Sequence, residues 1–547
     1  MLALGARSRR FESSRPDHYL NYFVNLTPLI KQPEVKKPVA NLPKPLIILA
    51  IVGLGLLVRL INGPRPNDDA FITFRYVENI TSGLGFVYNQ GEKVLGTTTP
   101  LYTLLLSLLY FPFKTNLPWL GLLLNTLADC GTILWLGWLG KKFCPPNLRG
   151  FEYVAPLLFA LSVFSSNWCI AGMETSLFSF LLISTFGLGI MGRTHLAAVA
   201  ATLAVFCRPE GILMVGLALA AFWLMSRRFP WREALIIAGI GLPWLIFATL
   251  YYGNPLPQSL LAKGEGVYIF EETGLSRLKP FSLIAWDNPF GQFITNLQLP
   301  DGKRILLVGL IATLTFGGLI GLGAWRIWRV NKIAAAWAAG FPLLFNLAYI
   351  LAQFRKVLIF DWYLVPLVPW YLLLIGLGLA QLVEILPGPK RLWGNGILTL
   401  FVGISLVNQL QAYDFGRSRM QSPEHYREAA NFLAPRLKPG QTIVAPEIGM
   451  LGYFAPTARI FDSVGLVSPE ALKYYPVPKN ELASNNAVPS RMVLEQKPEY
   501  VISLELFVRN SLKLSPEFQA NYTLLQKIPT NTYGSDGLLI FIRKDLS

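Results

Sequence analysis

Apolar runs of about 18 to 25 residues, the length a bilayer-spanning helix needs, recur along most of this chain between short polar loops. The first covers residues 46–61 and leads into a polar loop, 62–99. The next stretch, 100–113, is apolar but only 14 residues long, which suits an interfacial or re-entrant helix better than a span. Further spans are expected at 117–139, 153–171, 176–191, 196–206, 212–225, 234–250, 305–325, 334–353, 360–383 and 393–411, with a long loop at 251–303. The run at 196–206 is short and must draw on its flanks. From Gln421 the pattern becomes mixed. Ser422-Pro423-Glu424 is a helix start, with Ser as N-cap and Pro in the first turn, and the helix should reach Leu437. Strand-like runs follow at 442–445, 459–461, 500–504, 524–528 and 538–542. The expected fold is mainly α: a polytopic transmembrane helical bundle of about eleven spans, residues 46–411, with a small C-terminal α/β domain, 421–547.

Charge fixes the orientation. If 100–113 does not cross, Lys141, Lys142, Arg149, Arg193, Arg227, Arg228, Arg232, Arg326, Arg329, Lys332, Lys390 and Arg391 all fall on one side, which is then the cytoplasm. The N-terminus is expected inside, and the C-terminal domain outside a bacterial-type plasma membrane. Counting 100–113 as a span puts every one of those clusters outside.

Composition agrees. Of 547 residues, 53% are hydrophobic and 15% charged, where a soluble chain is about a quarter charged. Residues 1–45 read as a basic, disordered cytoplasmic arm. A cleaved leader is not expected, because the first apolar run begins only near Leu46. The net charge of +16 sits mostly in this arm and the short loops, so it reflects membrane topology and not nucleic acid. Cys130, Cys144, Cys169 and Cys207 show no CxxC spacing, and no disulfide framework or zinc site is implied.

Several polar groups fall on the outer side of this topology. Asp68-Asp69 lies just past the first span, ahead of an expected interfacial helix at 70–82 whose apolar face is Phe71, Phe74, Val77 and Ile80. Neighbours on a helix point about 100° apart, so one acid can face reacting groups while the other orients it, binds a cation or caps the helix. Glu174, in GMET, joins them, as do Arg208 and Glu210 of RPEG, which can also pair with each other. Lys263, Arg355 and Lys356 are basic residues on the outside, against the charge rule, as a pocket for a phosphate would require. Thr97 and Thr98, in GTTTP, offer hydroxyls to sugar or phosphate oxygens, or to backbone groups. Trp286, Trp362 and Tyr363 fall at span boundaries, where aromatic belts are expected.

The block DDAFITFRYVENITSGLGFVYNQGEKVLGTTTPLYTLLL resembles the first outer loop of GT-C membrane glycosyltransferases, in a bacterial branch related to mycobacterial arabinofuranosyltransferases and more distantly to protein O-mannosyltransferases. GMETSLFSFLL, RPEG, YYGNPLPQSLLAK, GMLGYF and RIFDSVGLVSPE are similar to further blocks of that branch, so the likeness runs from about residue 46 to 475. It implies transfer of a sugar from a polyprenyl-phosphate donor to a glycan, lipid or protein acceptor on the non-cytoplasmic face. It also implies an Asp of the 68–69 pair as general base, with Asp68 taken as the base and Asp69 as its support. Arg208, Lys263, Arg355 and Lys356 are then candidates for the lipid phosphate, and Arg75, in the first block, for substrate. Some GT-C members bind a divalent cation through first- and second-loop acids. Glu174 with Asp68 or Asp69 is the candidate set here, although no second acid stands beside Glu174. Two other readings stay open: a lipid-linked sugar transporter, and a non-catalytic envelope protein whose C-terminal domain binds glycan.

Overall fold

The computed structural model describes residues 44–264, 267, 302–354, 359–419 and 424–546. The arm expected at 1–45 lies almost wholly outside these residues, as do Trp286, Arg355, Lys356 and the Ser422-Pro423 helix start.

Helices follow the apolar runs closely: α1 (Lys44–Leu60), α2 (Asp68–Thr81), α3 (Pro100–Phe113), α4 (Leu117–Phe143), α5 (Val154–Ala160), α6 (Val163–Ile170), α7 (Thr175–Ile190), α8 (Thr194–Cys207), α9 (Gly211–Ser226), α10 (Trp231–Tyr252), α11 (Gln258–Gly264), α12 (Gly302–Val330), α13 (Lys332–Phe354), α14 (Val368–Ile385) and α15 (Lys390–Arg419). Among the described residues, four segments are long and apolar enough to cross a bilayer alone, at Leu117–Phe143, Trp231–Tyr252, Lys332–Gln353 and Asp361–Ile385, and a bent pair can make a fifth. That is an integral membrane protein, but it is fewer spans than the eleven expected. The apolar helices α1, α3, α7, α8 and α9 are shorter, at 10–17 residues. Where α12 and α14 cross, a Cβ on Gly323 would sit 1.9 Å from the Leu374 carbonyl oxygen and one on Gly378 would sit 2.0 Å from that of Leu319. Only glycine lets two helix backbones approach so closely.

The single span expected at 153–171 is instead α5 and α6, bent by 44°. Ser162 starts the second helix by accepting the Ser165 amide. The carbonyls of Phe159 and Ala160, released at the break, accept hydrogen bonds from the Arg59 guanidinium of α1 at 3.5 and 3.2 Å. Arg59 also donates to Ser165 Oγ at 3.1 Å and to Asp129 Oδ2 of α4 at 2.5 Å. Both charged residues are fully enclosed, at 0% and 1% exposure.

The C-terminal domain carries a five-stranded mixed sheet: β1 (Thr442–Ala445), β2 (Arg459–Asp462), β3 (Tyr500–Leu504), β4 (Tyr522–Ile528) and β5 (Leu538–Arg543), in spatial order β2-β1-β3-β5-β4. β1 pairs parallel with β2 and β3, while β5 pairs antiparallel with β3 and β4. α16 (Glu424–Leu433) ends earlier than the expected Leu437. The short α17 (Gly449–Phe454) follows β1.

α2 is where the two parts meet, and it is not a helix lying on a bilayer surface. Its apolar face is covered by the C-terminal domain: the Phe71 ring lies 5.3 Å from that of Tyr453 and 5.8 Å from that of Phe454. Polar groups complete the contact. Asn89 bonds both the amide and the carbonyl of Ile460 on β2, at 3.1 and 2.9 Å, and Tyr88 Oη donates to the Ile448 carbonyl at 2.7 Å.

Candidate active site

The segment ahead of α2 is pinned before the helix starts: the amides of Arg65 and Asn67 donate to the carbonyls of Ile170 and Ala171 at 2.8 and 3.2 Å. Asn67 is the N-cap, its Oδ1 accepting the Ala70 amide at 3.2 Å. Neither aspartate is needed for capping, so that reading of the pair falls away. Asp68 turns toward the C-terminal domain, where its two carboxylate oxygens accept the amides of Gly449 and Met450, each at 2.8 Å. Burial pushes its carboxyl up to about 6, against the pull of those two amides. Asp69 points the other way. Its side chain is open to a cavity of about 530 Å³. Protein atoms surround that cavity and deprive the carboxylate of bulk water, which raises its pKa. The Lys263 charge opposes the rise.

Another part of the wall comes from two helix starts. Gly172, at φ +77, makes the turn that lets Glu174 begin α7; a side chain there would meet Ala70 and Phe74 at 3.2 Å. Glu210 begins α9. Neither glutamate caps its own helix. Both instead hold Arg208, whose Nη1 donates to Glu174 Oε1 at 3.1 Å and whose Nη2 donates to Glu210 Oε1 at 3.0 Å. Tyr349 Oη donates to the same Glu210 oxygen. The guanidinium stacks over the Tyr363 ring at 4.8 Å, and Lys263 Nζ donates to Tyr363 Oη at 2.6 Å. Thr97, Thr98 and Thr99 line a third side. Thr97 Oγ1 accepts the Thr99 amide at 3.2 Å, tying the turn that starts α3.

Of the sequence candidates, the structure thus gathers Asp69, Thr97, Thr98, Glu174, Arg208, Glu210 and Lys263 around one cavity. It does not bring Arg75 there. That guanidinium is buried and clasps the carbonyls of Tyr88, Gly452 and Ala458 at 2.8, 2.7 and 3.0 Å, so it holds the loop to the C-terminal domain and does not face substrate. Arg208 is likewise no free cation, because two carboxylates already oppose its charge. Glu174 is a poor metal ligand for the same reason, and among the described residues no three His, Cys, Asp or Glu side chains converge as a metal set. Arg355 and Lys356 lie outside the described residues.

Four groups escaped the sequence reading. Tyr349 carried no signal, and Trp362 and Tyr363 read as belt aromatics, yet all three line the cavity. Glu447 stands beside the aspartate pair, with Tyr426 Oη donating to its carboxylate. Asp462 and Asp536 of the same domain have structural partners: Asp462 accepts the amides of Val464 and Val467 at 2.8 and 3.1 Å, and Asp536 pairs with Lys527 at 2.8 Å.

A further property of the cavity is electrostatic. The N-terminal ends of α2, α3, α7 and α9 all reach it, through Asp69 in the first turn of α2 and the N-cap residues Thr99, Glu174 and Glu210. Each helix N-terminus carries roughly half a positive charge. Four such ends at the wall of one cavity favour an anion there.

This helical bundle with an acid-and-cation cavity at a loop–domain junction has the GT-C fold of membrane glycosyltransferases. It matches the crystal structure of ArnT from Cupriavidus metallidurans with a TM-score of 0.56, at 14% identity, over 92% of this chain and 98% of that one. The undecaprenyl-phosphate-bound form of the same protein matches with 0.56, at 12% identity, over 92% and 99%. The Archaeoglobus fulgidus oligosaccharyltransferase tethered to an acceptor peptide matches with 0.56, at 12% identity, over 90% of this chain and 73% of that one. In sequence, the chain is 29% identical over 217 residues to a terminal β-(1→2)-arabinofuranosyltransferase of Mycobacterium tuberculosis, covering 36% of this chain and 34% of the relative. It is 28% identical over 226 residues to the enzyme of the same name from Corynebacterium glutamicum, covering 36% and 33%. The match thus takes in about a third of each relative's length. Residues 413–541 match a family described as a domain of unknown function (DUF8728).

Proposed function

We propose that this chain is a glycosyltransferase that moves a sugar from a polyprenyl-phosphate carrier to an acceptor hydroxyl, with Asp69 as general base. The observation that carries the proposal is the placement of Asp69: an accessible carboxylate across one cavity from Arg208 and Lys263, where four helix N-termini favour an anion. Asp68, the base expected from the sequence, does not fit that role, because both its oxygens are committed to the amides of Gly449 and Met450. Asp68 holds the pair in place and Asp69 reacts.

The chemistry is a displacement at the anomeric carbon. The acceptor oxygen bonds to that carbon as its proton passes to the Asp69 carboxylate. The bond from carbon to phosphate oxygen breaks, and its electron pair leaves with the polyprenyl phosphate. Asp69 is accessible to the cavity, and the walls around it thin its hydration enough to raise its pKa against the Lys263 charge; the higher pKa favours proton uptake. Lys263 and the helix termini oppose the charge growing on the leaving phosphate. The named activity of the two curated relatives makes an arabinofuranosyl donor the first to assay, and the undecaprenyl phosphate in the ArnT structure makes polyprenyl phosphate the first carrier. The acceptor is a glycan, lipid or protein hydroxyl.

Eleven spans remain our proposal for the topology, with the shorter apolar helices spanning in company. The N-terminal arm, residues 1–45, lies in the cytoplasm, and the cavity and the domain at 421–547 lie on the far side of the plasma membrane. The test of the mechanism is a pair of variants assayed on a lipid-linked sugar. Asp69→Asn should lose about 10²- to 10⁴-fold in kcat, the usual worth of a general base, with donor binding retained. Asp68→Asn should lose less and be less stable to heat. Wild-type turnover by Asp69→Asn removes Asp69 from the reaction.

A further inference from the structure

The charges around Arg208 do not suit a resting phosphate site. In the cavity wall Glu174, Glu210 and Asp69 bring three carboxylates against the two cations Arg208 and Lys263. Arg208 itself is neutralised twice, and its two partners differ. Glu174 is enclosed, at 7% side-chain exposure, whereas Glu210 faces the cavity at 25%. Glu210 also meets the guanidinium on two nitrogens, Nη2 at 3.0 Å and Nε at 3.4 Å, which is the fork a phosphate uses. It starts α9, yet its side chain leaves the helix end uncapped and lies against Arg208 and the Tyr349 hydroxyl. A carboxylate thus occupies the Nε–Nη2 edge of Arg208 at the cavity wall.

We infer that Glu210 is an exchangeable stand-in for the carrier phosphate: it holds Arg208 between turnovers, yields it to the phosphate as reaction proceeds, and reclaims it to expel the product. This rests on the polyprenyl-phosphate reading above. The reason such a group is useful lies in the charge change of the reaction. The donor is a phosphodiester with one negative charge. Breaking the sugar–oxygen bond leaves a monoester whose second ionisation falls near pH 6, so the product carries nearly two. A guanidinium left free would hold product more tightly than donor and slow turnover. A tethered carboxylate competing for the same fork weakens both, and keeps the stronger ligand from trapping the enzyme. Glu174 keeps Arg208 in position throughout, from its enclosed side. Glu210 acts through Arg208 and is therefore a positioning residue.

The experiment compares wild type, Glu210→Gln and Tyr349→Phe, full length in detergent, in two measurements. The first is binding of a polyprenyl monophosphate, followed by tryptophan fluorescence. The second is steady-state transfer with donor KM, kcat and product inhibition. Glu210→Gln should bind the monophosphate at least about tenfold more tightly, the worth of one charge-assisted bond. Donor KM should fall by less than that, kcat should fall, and added product should inhibit more strongly. Tyr349→Phe removes the hydroxyl that steadies Glu210 and should shift product affinity the same way by a smaller factor. Unchanged or weaker monophosphate binding in both variants, with wild type binding normally, overturns the exchange role and leaves the donor reading intact. Absence of monophosphate binding to wild type overturns the donor reading itself.

Discussion

Gly449→Ala tests whether the C-terminal domain holds the aspartate pair in working position. A Cβ built on Gly449 would stand 1.7 Å from the Asp68 carbonyl oxygen and 2.9 Å from its Oδ2. Ordinary contact between such atoms is more than 3 Å, so α2 and α17 must separate by over 1 Å, and the obstacle is backbone that cannot rotate away. The two amide–carboxylate bonds to Asp68, both 2.8 Å, would be stretched or lost. Hydrogen bonds to charged groups contribute about 1.5–3 kcal/mol each, so about 3–6 kcal/mol of docking is at stake. Asp69, one residue on, moves with the helix, and a misplacement of about 1 Å costs on the order of 100-fold in rate. Arg208 and Lys263 stand on other elements, so donor KM should change less than about threefold. The assay is transfer from a lipid-linked sugar in proteoliposomes, with monodispersity in detergent as the folding control. Gly452→Ala is the internal comparison. Its Cβ would meet the Tyr88 hydroxyl at 1.9 Å and Arg75 Nη1 at 2.6 Å, buried groups that tie the loop to the domain but do not touch the Asp68 carboxylate, so the substitution should lower stability more than it lowers kcat relative to Gly449→Ala. Wild-type kcat in a well-folded Gly449→Ala protein would refute the positioning argument.

Two further outcomes follow from other charged contacts. Asp129→Ala strands the buried Arg59 charge among apolar helices and should cost about 3–5 kcal/mol, read as a large drop in the thermal midpoint. Removing both charges, as Arg59→Met with Asp129→Leu, should recover only part of it, because the stranded charge is gone but the Phe159 and Ala160 carbonyls lose the donors that Arg59 supplied. Glu447 is pushed up to about 8 by burial and by the nearby Asp68 charge. The folded state therefore keeps its proton to higher pH than the unfolded chain does, and stability falls as pH rises from about 4.5 to 8. Glu447→Gln, which stays neutral, should raise the thermal midpoint at pH 8.5 and match wild type at pH 5; equal midpoints at both pH values would exclude Glu447 as the titrating group.

Where one physical signal dominates, the sequence is enough. α3 has the same limits in the sequence pattern and the structure because Thr99-Pro100 opens it and the apolar run then continues unbroken to Phe113. Strands β1 and β3 likewise fall where short β-branched runs stand between turn residues. The break between α5 and α6 was not legible. The run at 153–171 is mostly apolar, and its polar residues Ser162, Ser165, Ser166 and Asn167 do not by themselves mark a break; the interruption is completed by Arg59, about a hundred residues away, which donates to the freed carbonyls. The burial of α2 was missed for a related reason. A hydrophobic face shows that a helix must be covered, and it does not say by what; here the cover is Tyr453 and Phe454 of a domain nearly 400 residues on.

The same limit explains the division of the aspartate pair. Helical geometry says that Asp68 and Asp69 point about 100° apart, so one of them had to face away from any shared site. Which one depends on where donors lie in the folded chain. The two amides at the start of α17 are backbone groups, exposed there because Gly449 has no side chain to keep Asp68 at a distance. No titratable residue marks them, so a search for chemistry-bearing side chains passes over them and finds two equivalent acids. The equivalence ends once a backbone nest engages both oxygens of one carboxylate and leaves the other in the cavity. By the same logic Arg208, which looks like a free cation in RPEG, acquires two carboxylate partners on folding, and Lys263 becomes the described cation with no carboxylate bonded to it at the cavity wall.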